Sequence, residues 1–369
     1  MAAAALGLAA LVVPVGASDQ EIETWMPAVE GQHEGTWLQW PHHHTYGRRF
    51  RDQVDPQWVE MTRALVGGEN VHIVAYNATE RDRIVGLLEA AGVSLERVDF
   101  VIQPTDDFWI RDNGPIFVFD EAGALKITDW GFDGWGEDAP FAKDDLVPGA
   151  IARATGMPLV DVNGMVLEGG AVELDGRGVL MATRSSILES TRNPGMKQAD
   201  AETYLRSHLG AKKFIWLDGA DGGEEDITDM HIDGFAMFAD GGRIVTMSRA
   251  DLLYWGLSEA DVDVLYAARD IDNQPYQLVT LPLTTGNVVT TYRKDLGFKG
   301  SYVNFYVGND VVLMPSYDDP NDGVAKAILK DVYPNRRVVL IDCRNLFANG
   351  GMVHCVTQQQ PAVEAFKKR

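Results

Sequence analysis

The sequence predicts an α/β fold in which similar units repeat and close into a cyclic array. Three observations support this prediction. A hairpin pattern recurs four times, helix-compatible and apolar strand-like stretches follow the hairpins, and the repeats are spaced by about 55 to 70 residues. An ordinary mixed α/β domain with frequent hairpins is the alternative, because the units share a pattern and not a sequence.

Each predicted hairpin is a strand, a turn rich in Gly, Asp or Asn, and a second strand. The four hairpins lie at 115–127, 171–181, 235–247 and 304–314. Helix-compatible stretches follow at 197–209, 258–269 and 321–333, and apolar strands at 213–217, 276–280 and 337–341. The sequence therefore predicts units of the form hairpin, helix, strand.

The N-terminal part supplies most of a fifth unit. Its predicted strands lie at 35–40, 71–75 and 98–102, and its predicted helices lie near 57–66 and 79–92. To complete this unit, a C-terminal strand at 352–357 would have to pair with 35–40. That pairing would close the chain on itself.

Composition limits the kinds of partner. The chain has 369 residues, is 46% hydrophobic and carries a formal net charge of −22, so a sizeable core is available. Nucleic acid and anionic membranes are bound through a surplus of Lys and Arg, so neither is an expected partner. A cationic ligand suits the charge, although an acidic surface also serves solubility.

The first residues resemble a signal peptide. Residues 2–17 form an uncharged apolar run that ends in the small residues Val15, Gly16 and Ala17, as in a signal-peptide core with its cleavage site. We therefore predict a signal peptide over 1–17, a single domain over 18–369, and export to the periplasm or the exterior. No Lys or Arg precedes the run in this sequence, so a cytoplasmic protein is the alternative.

The segment from Asn349 to Cys355 places one of only two cysteines shortly after a Gly-Gly pair, within an apolar run that we interpret as a strand. A thiol attacks as the thiolate, which requires a histidine or cationic surroundings, and His231 is the candidate partner. A bridge between Cys343 and Cys355 would consume this nucleophile, so we expect two free thiols, with Cys343 in the core. On a strand, His354 would face away from Cys355.

Four polar motifs lie at the ends of the predicted units, at 106–115, 166–170, 229–234 and 349–355. In a radial array the corresponding end of each unit faces the central axis. Side chains that are far apart in sequence can therefore meet there. The residues expected to converge are Asp112, Glu168, His231, Asp233 and Cys355.

With these motifs the chain resembles the agmatine deiminase and bacterial peptidylarginine deiminase family of guanidino-group-modifying enzymes. The resemblance runs from residue 26 to residue 360. It is most specific in Trp109-Ile-Arg-Asp-Asn-Gly-Pro115 and in the stretches 167–170, 300–306 and 350–359. It implies a five-bladed α/β propeller, also called the pentein fold. Glu173 departs from the resemblance, because agmatine deiminases typically have histidine there.

The resemblance also implies roles for individual residues. Cys355 would be the nucleophile, His231 the acid and base, and Glu168 the residue that steadies His231. Asp112 and Asp233 would hold the guanidinium. The substrate-binding residues it implies are Trp109, Asp106 and Gly351. Other interpretations are a structural histidine for His231, a turn cap for Asp112, and a carboxylate bound to turn amides for Glu168.

The chemistry of a guanidinium justifies these residue types. A guanidinium is planar and protonated, so two carboxylates can bind its N–H groups and localise charge on the carbon to be attacked. The Cys355 thiolate would attack that carbon, and the His231 imidazolium would protonate the departing ammonia. Water would then hydrolyse the covalent thiouronium to a ureido product. No metal or organic cofactor is needed.

The expected reaction is deimination of agmatine to N-carbamoylputrescine and ammonia. Peptidylarginine or free arginine is the alternative substrate, and an arginine in the pocket that pairs with a substrate carboxylate would favour it. The rivals outside hydrolysis are an amidinotransferase and a non-catalytic binding protein for polyamines or arginine. The expected partner is a small cationic guanidino molecule or peptidyl arginine, with no nucleic acid and no membrane. Homo-oligomerisation is left open.

Overall fold

The computed structural model describes residues 24–220 and 226–366. The signal peptide predicted over 1–17 lies outside these residues. In the described part of the chain the strands form five small sheets. Together they make the five-bladed α/β propeller that the resemblance implied.

The strands are β1 His33–Gln39, β2 Asn70–Ala75, β3 Val98–Ile102, β4 Ile116–Phe119, β5 Leu125–Gly131, β6 Leu159–Val166, β7 Val172–Leu174, β8 Val179–Thr183, β9 Lys213–Leu217, β10 Ala236–Ala239, β11 Arg243–Met247, β12 Gln277–Leu281, β13 Tyr306–Val307, β14 Val311–Ser316, β15 Arg337–Asp342 and β16 Gln358–Pro361. The α-helices are α1 His43–Leu65, α2 Ala78–Ala90, α3 Ile110–Asn113, α4 Gly134–Glu137, α5 Val147–Thr155, α6 Arg184–Leu188, α7 Gln198–Leu209, α8 Arg249–Tyr254, α9 Glu259–Tyr266, α10 Asn321–Val332 and α11 Val363–Phe366. Short 3-10 turns occupy Asp144–Leu146, Gly169–Ala171, Ile232–Gly234, Phe347–Asn349 and His354–Val356.

Four of the five sheets share one strand order. In these four, the first two strands form an antiparallel hairpin, and the third strand returns parallel to the second after a helix-containing connection. The four predicted hairpins are confirmed as β4–β5, β7–β8, β10–β11 and β13–β14. The predicted helices at 197–209, 258–269 and 321–333 correspond to α7, α9 and α10. Alternating apolar residues and turn-forming Gly and Asp are local signals, which explains this agreement.

The fifth blade closes the molecule. Strand β16 pairs antiparallel with β1, which pairs parallel with β2. Closure is therefore as expected, but the predicted strand at 352–357 is wrong, because the pairing strand begins at Gln358. The Thr357 hydroxyl donates to the carbonyl groups of Val353, at 3.0 Å, and His354, at 3.1 Å. These local bonds hold the preceding segment as a 3-10 turn.

The longest helix is α1, with 23 residues. It extends further toward the N-terminus than the predicted helix at 57–66, and Gly47 interrupts its helical backbone with a φ of 78°. Across residues 24–220 and 226–366, no helix combines the length and apolar character needed to cross a membrane.

The fold brings five equivalent positions to one end of the blades. The first strand of each hairpin and strand β16 all begin just after a short segment that carries polar side chains. These segments are α3 before β4, the turn Gly169–Ala171 before β7, the turn Ile232–Gly234 before β10, residues 301–305 before β13, and the turn His354–Val356 before β16. These segments also contact one another, because α3 contacts the turns before β7 and β16, and the turn before β7 contacts the turn before β10.

Candidate active site

Cys355 lies in the 3-10 turn His354–Val356 and is partly buried. Its Sγ is 3.4 Å from the Nδ2 of Asn304 and 3.8 Å from the Oδ2 of Asp233. Burial raises the pKa of the thiol well above its usual value, and the nearby carboxylates of Asp233 and Asp112 raise it further. The sequence analysis expected a histidine or cationic surroundings to favour the thiolate, with His231 as the partner. In the free protein the carboxylate of Asp233 lies beside the sulfur and opposes the thiolate.

His231 is buried between two carboxylates from neighbouring blades. Its Nδ1 lies 3.6 Å from the Oδ1 of Asp112, and its Nε2 lies 3.8 Å from the Oε2 of Glu168. Burial alone would lower the pKa of His231, but Asp112 and Glu168 outweigh that effect and raise the pKa to about 9. The imidazole is therefore protonated at neutral pH and can act as an acid.

Glu168 is held by an arginine that the sequence analysis did not identify. Arg192 Nε donates to Glu168 Oε1 at 2.7 Å, and both side chains are fully buried. The remaining guanidinium nitrogens of Arg192 bind the carboxylate of Asp229 and, at 3.0 Å, the carbonyl of Ile227. Burial raises the pKa of Glu168, but His231 and Arg192 outweigh it, so the net pKa is lowered and Glu168 is ionised.

Asp112 is fixed by contacts from other segments. Its Oδ1 accepts a hydrogen bond from the backbone N–H of Gly170 at 3.1 Å, and its Oδ2 accepts one from Trp135 Nε1 at 3.1 Å. The amide that it binds belongs to the next blade, so Asp112 does not cap its own turn. Burial is the main cause that raises the pKa of Asp112, to about 6.

Gly170 marks the point where three polar side chains meet. A Cβ at this position would lie 2.7 Å from His231 Nδ1, 2.8 Å from Asp112 Oδ1 and 3.1 Å from Asp233 Oδ2. Only glycine lets the backbone approach these atoms so closely. The structure thus brings Asp112, His231 and Asp233 around one point, as the sequence analysis expected.

Asp233 is bound by His354, the neighbour of Cys355. The distance from Asp233 Oδ2 to His354 Nδ1 is 2.7 Å. Burial raises the pKa of Asp233, but His354, His231 and Arg111 outweigh it and lower the pKa overall, so the carboxylate is ionised. The prediction that His354 faces away from the site is wrong, because Cys355 lies in a 3-10 turn and not in a strand.

Asn304 connects these groups. Its Oδ1 accepts a hydrogen bond from the backbone N–H of His354 at 2.9 Å, and its Nδ2 donates to the carbonyl of Asp233 at 3.2 Å. The same Nδ2 faces the sulfur of Cys355. Asn304 was not among the predicted site residues, although it lies in the 300–306 stretch that carries the resemblance. Arg192 had no comparable signal.

A narrow cavity of about 80 Å³ leads to Cys355. Its lining includes Cys355, Asp112, Trp109, Gly351 and Trp135. A side chain at position 351 would collide with the Trp109 ring. Because Gly351 has none, the ring can form a wall of the cavity. The ring of Trp135 also lies in the cavity wall.

Asp106 was expected to bind substrate, but it does not line this cavity. Its carboxylate accepts a hydrogen bond from the backbone N–H of Lys143 at 2.8 Å and pairs with the Lys143 ammonium. Asp107 lines the cavity in its place, and the Tyr46 hydroxyl donates to it at 2.8 Å. Neighbouring side chains outside a helix point in different directions, so a motif does not show which carboxylate faces inward.

The two cysteines are free thiols, as expected. Cys343 follows β15, is fully buried and packs in the main hydrophobic core. It has no role in the cavity that leads to Cys355.

Comparison with known proteins identifies close similarities. Residues 25–361 match the family model described as Porphyromonas-type peptidyl-arginine deiminase. The agmatine deiminase of Pseudomonas aeruginosa (strain LESB58) is 31% identical over 359 residues, which cover 91% of this chain and 95% of the relative. That of Pseudomonas fluorescens (strain SBW25) is 32% identical over 360 residues, with the same coverage of 91% and 95%.

The fold is also shared with solved structures. The agmatine deiminase of Enterococcus faecalis matches with a TM-score of 0.80 at 24% identity, covering 92% of this chain and 96% of that one. At this level of identity the likeness shows the fold alone. It agrees with the five blades observed here.

Proposed function

Because the chain belongs to the Porphyromonas-type peptidyl-arginine deiminase family, we propose that it hydrolyses agmatine to N-carbamoylputrescine and ammonia. The observation that carries this proposal is the meeting of Asp112 and Asp233 around Gly170, beside the sulfur of Cys355. Two carboxylates suit the two N–H edges of one planar guanidinium. The relatives named agmatine deiminase support the choice of substrate.

In this mechanism the substrate supplies positive charge beside the sulfur of Cys355. Burial is the main cause that raises the pKa of Cys355. Asp233 and Asp112 raise it further, because their negative charge disfavours a thiolate. A guanidinium bound between these carboxylates would offset their charge and favour the thiolate. The nucleophile would therefore form when substrate is present.

The two chemical steps follow from the positions of Cys355 and His231. The thiolate forms a C–S bond with the guanidinium carbon, and the His231 imidazolium gives its proton to the leaving nitrogen, so that the C–N bond breaks and ammonia departs. The covalent intermediate is an S-alkylthiouronium. Neutral His231 then takes a proton from water, the resulting hydroxide attacks the carbon, and the C–S bond breaks to give the ureido product.

The cavity lining favours agmatine over free arginine. Among the described residues that line the cavity are the acidic Asp107 and Asp112, and none is Arg or Lys. The α-carboxylate of free arginine would find no cationic partner among these residues. Agmatine has hydrogen in place of that carboxylate and keeps the ammonium, so it avoids the conflict.

The test is to measure ammonia and ureido product from agmatine, free arginine and a peptide with an internal arginine under identical conditions. We expect turnover of agmatine well above that of the other two. A preference for the peptide would reject agmatine as the substrate. Turnover that requires an added amine acceptor would indicate amidino transfer, and agmatine binding without any turnover would indicate a binding protein.

We expect activity to depend on pH through Asp112 and His231. The pKa of Asp112 is about 6, so kcat/KM should rise as the pH increases through that value and the carboxylate ionises. The pKa of His231 is about 9, so kcat/KM should fall when the imidazolium loses its proton on the alkaline side. A pH–rate profile checks this expectation. Activity that continues to rise above pH 9 would exclude His231 as the acid.

We also propose that the protein is exported. This proposal rests only on the apolar residues 2–17 and the small residues that end them. Mass determination of the N-terminus of the protein isolated from its native host would test it, and a mature chain that retains residues 1–17 would reject it.

A further inference from the structure

A buried row of three side chains extends from the site toward the interior of the propeller. The first is Asp233, in the turn before β10, and the second is His354, in the turn before β16, at a distance of 2.7 Å. The third is Glu173 of β7, whose Oε1 lies 3.9 Å from His354 Nε2. All three side chains are at most 2% exposed. The row joins three blades and ends at a carboxylate that contacts Cys355.

The hydrogen bonds indicate where the protons lie. Asp233 is ionised and can only accept, so the proton of the 2.7 Å bond lies on His354 Nδ1. Burial, assisted by Arg111, lowers the pKa of His354 to about 4, so its Nε2 carries a lone pair at neutral pH. In the described part of the chain this buried Nε2 has no hydrogen-bond partner. It therefore requires a donor.

Glu173 can be that donor. Burial raises the pKa of its carboxyl to about 8, so it is protonated at neutral pH. Its Oε2 accepts a hydrogen bond from the backbone N–H of Phe238 at 3.3 Å, which leaves Oε1 facing His354. A side-chain movement of about 1 Å would bring Oε1 within hydrogen-bond length of Nε2.

We propose that protonated Glu173 donates a hydrogen bond to His354 Nε2 and is a positioning residue for substrate binding. This bond would hold His354 in the tautomer that donates to Asp233, and so keep the Asp233 carboxylate in place for the guanidinium. The inference rests on the proposed function, and it adds a residue that does not touch the substrate.

The charges around Glu173 set the effect of pH on this row. The groups that act on Glu173 or on His354 are Arg111 of α3, Asp233, Glu30 and Tyr333. Burial is the main cause that raises the pKa of Glu173. Arg111 favours the ionised form of Glu173, whereas Asp233 and Glu30 disfavour it. Above about pH 8 Glu173 loses its proton and can no longer donate. Substrate binding should then weaken before His231 deprotonates.

The test compares Glu173→Gln with Glu173→Met. Glutamine keeps the shape of the acid, and its amide N–H donates at every pH, whereas methionine has a similar length and no donor. We expect Glu173→Gln to retain activity near that of the wild type. Its alkaline fall in kcat/KM should move upward by about one pH unit, because the pKa of Glu173 is about 8 and that of His231 is about 9. We expect Glu173→Met to raise the KM for agmatine by about tenfold, the effect of one buried hydrogen bond, with a smaller change in kcat.

Asp129→Asn is the matched control, because Asp129 is another acid whose pKa burial raises, to about 6, and none of its contacts involves the row. It should leave the KM and the alkaline limb unchanged. Equal effects of Glu173→Gln and Glu173→Met, or no effect of either, would overturn the inference. Melting temperatures identify a variant that is misfolded. If Glu173→Met is misfolded, the inference is tested by the alkaline fall in kcat/KM of Glu173→Gln alone. If wild-type protein does not turn over agmatine, the proposed function fails instead.

Discussion

Replacement of Cys355 by serine is expected to abolish release of ammonia from agmatine, with a loss of at least about 10⁴-fold in kcat. A serine hydroxyl is far less acidic than a thiol, and His231 is protonated at neutral pH, so it cannot act as the base that serine would need. The bound guanidinium, which favours the thiolate, cannot ionise a hydroxyl to a useful extent. Ammonia release gives the rate, and mass spectrometry of quenched wild-type enzyme should detect the adduct on Cys355.

Cys343→Ser is the matched control for this variant. Cys343 is fully buried in the core and outside the cavity lining. Its replacement places a hydroxyl in an apolar setting and should lower stability by about 1–3 kcal/mol while most activity is retained. Equal loss of activity in the two variants, at a temperature where both are folded, would contradict the assignment of Cys355 as the nucleophile.

Asp112→Asn and Asp233→Asn are each expected to lower kcat/KM for agmatine by about 10³-fold, which corresponds to about 4 kcal/mol of transition-state stabilisation. Asparagine keeps the size of the side chain, but it removes the negative charge that binds the guanidinium. It also removes charge that raises the pKa of His231, so the imidazolium becomes a less populated acid. Steady-state kinetics measure the loss, and calorimetry of agmatine binding to Cys355→Ser with and without each change measures the part due to binding.

The same substitution at Asp106 provides the control. Asp106 belongs to the same motif as Asp112, but its carboxylate is engaged by Lys143 and lies outside the cavity lining. Asp106→Asn should therefore change kcat/KM by less than about threefold, because the substitution alters no group in the cavity lining. Near-normal activity in both Asp112→Asn and Asp233→Asn would reject the two-carboxylate site. A large loss in Asp106→Asn would show that the motif acts differently.

Much of the propeller was predictable because its signals are local. A hairpin such as β10–β11 appears in the sequence as two apolar strands around Asp240, Gly241 and Gly242, and its backbone pairing needs no distant partner. The wrong prediction of a strand at 352–357 also came from a local signal. Its apolar residues resemble a strand, but the Thr357 hydroxyl and nearby backbone groups hold it as a turn, and pairing with β1 begins only at Gln358.

The sequence by itself determined the five-unit plan, the family and the identity of the polar groups that converge: Cys355, His231, Asp112, Asp233 and Glu168. Their residue types follow from the chemistry of a guanidinium. Only the tertiary structure showed that Asp107 and not Asp106 faces the cavity, that Arg192 binds Glu168, and that His354 binds Asp233. It also showed that burial and the nearby carboxylates of Asp233 and Asp112 raise the pKa of the Cys355 thiol in the free protein. The physical reason is that a pKa depends on burial and on charges a few ångströms away, and most of those charges come from residues tens to hundreds of positions distant in the chain.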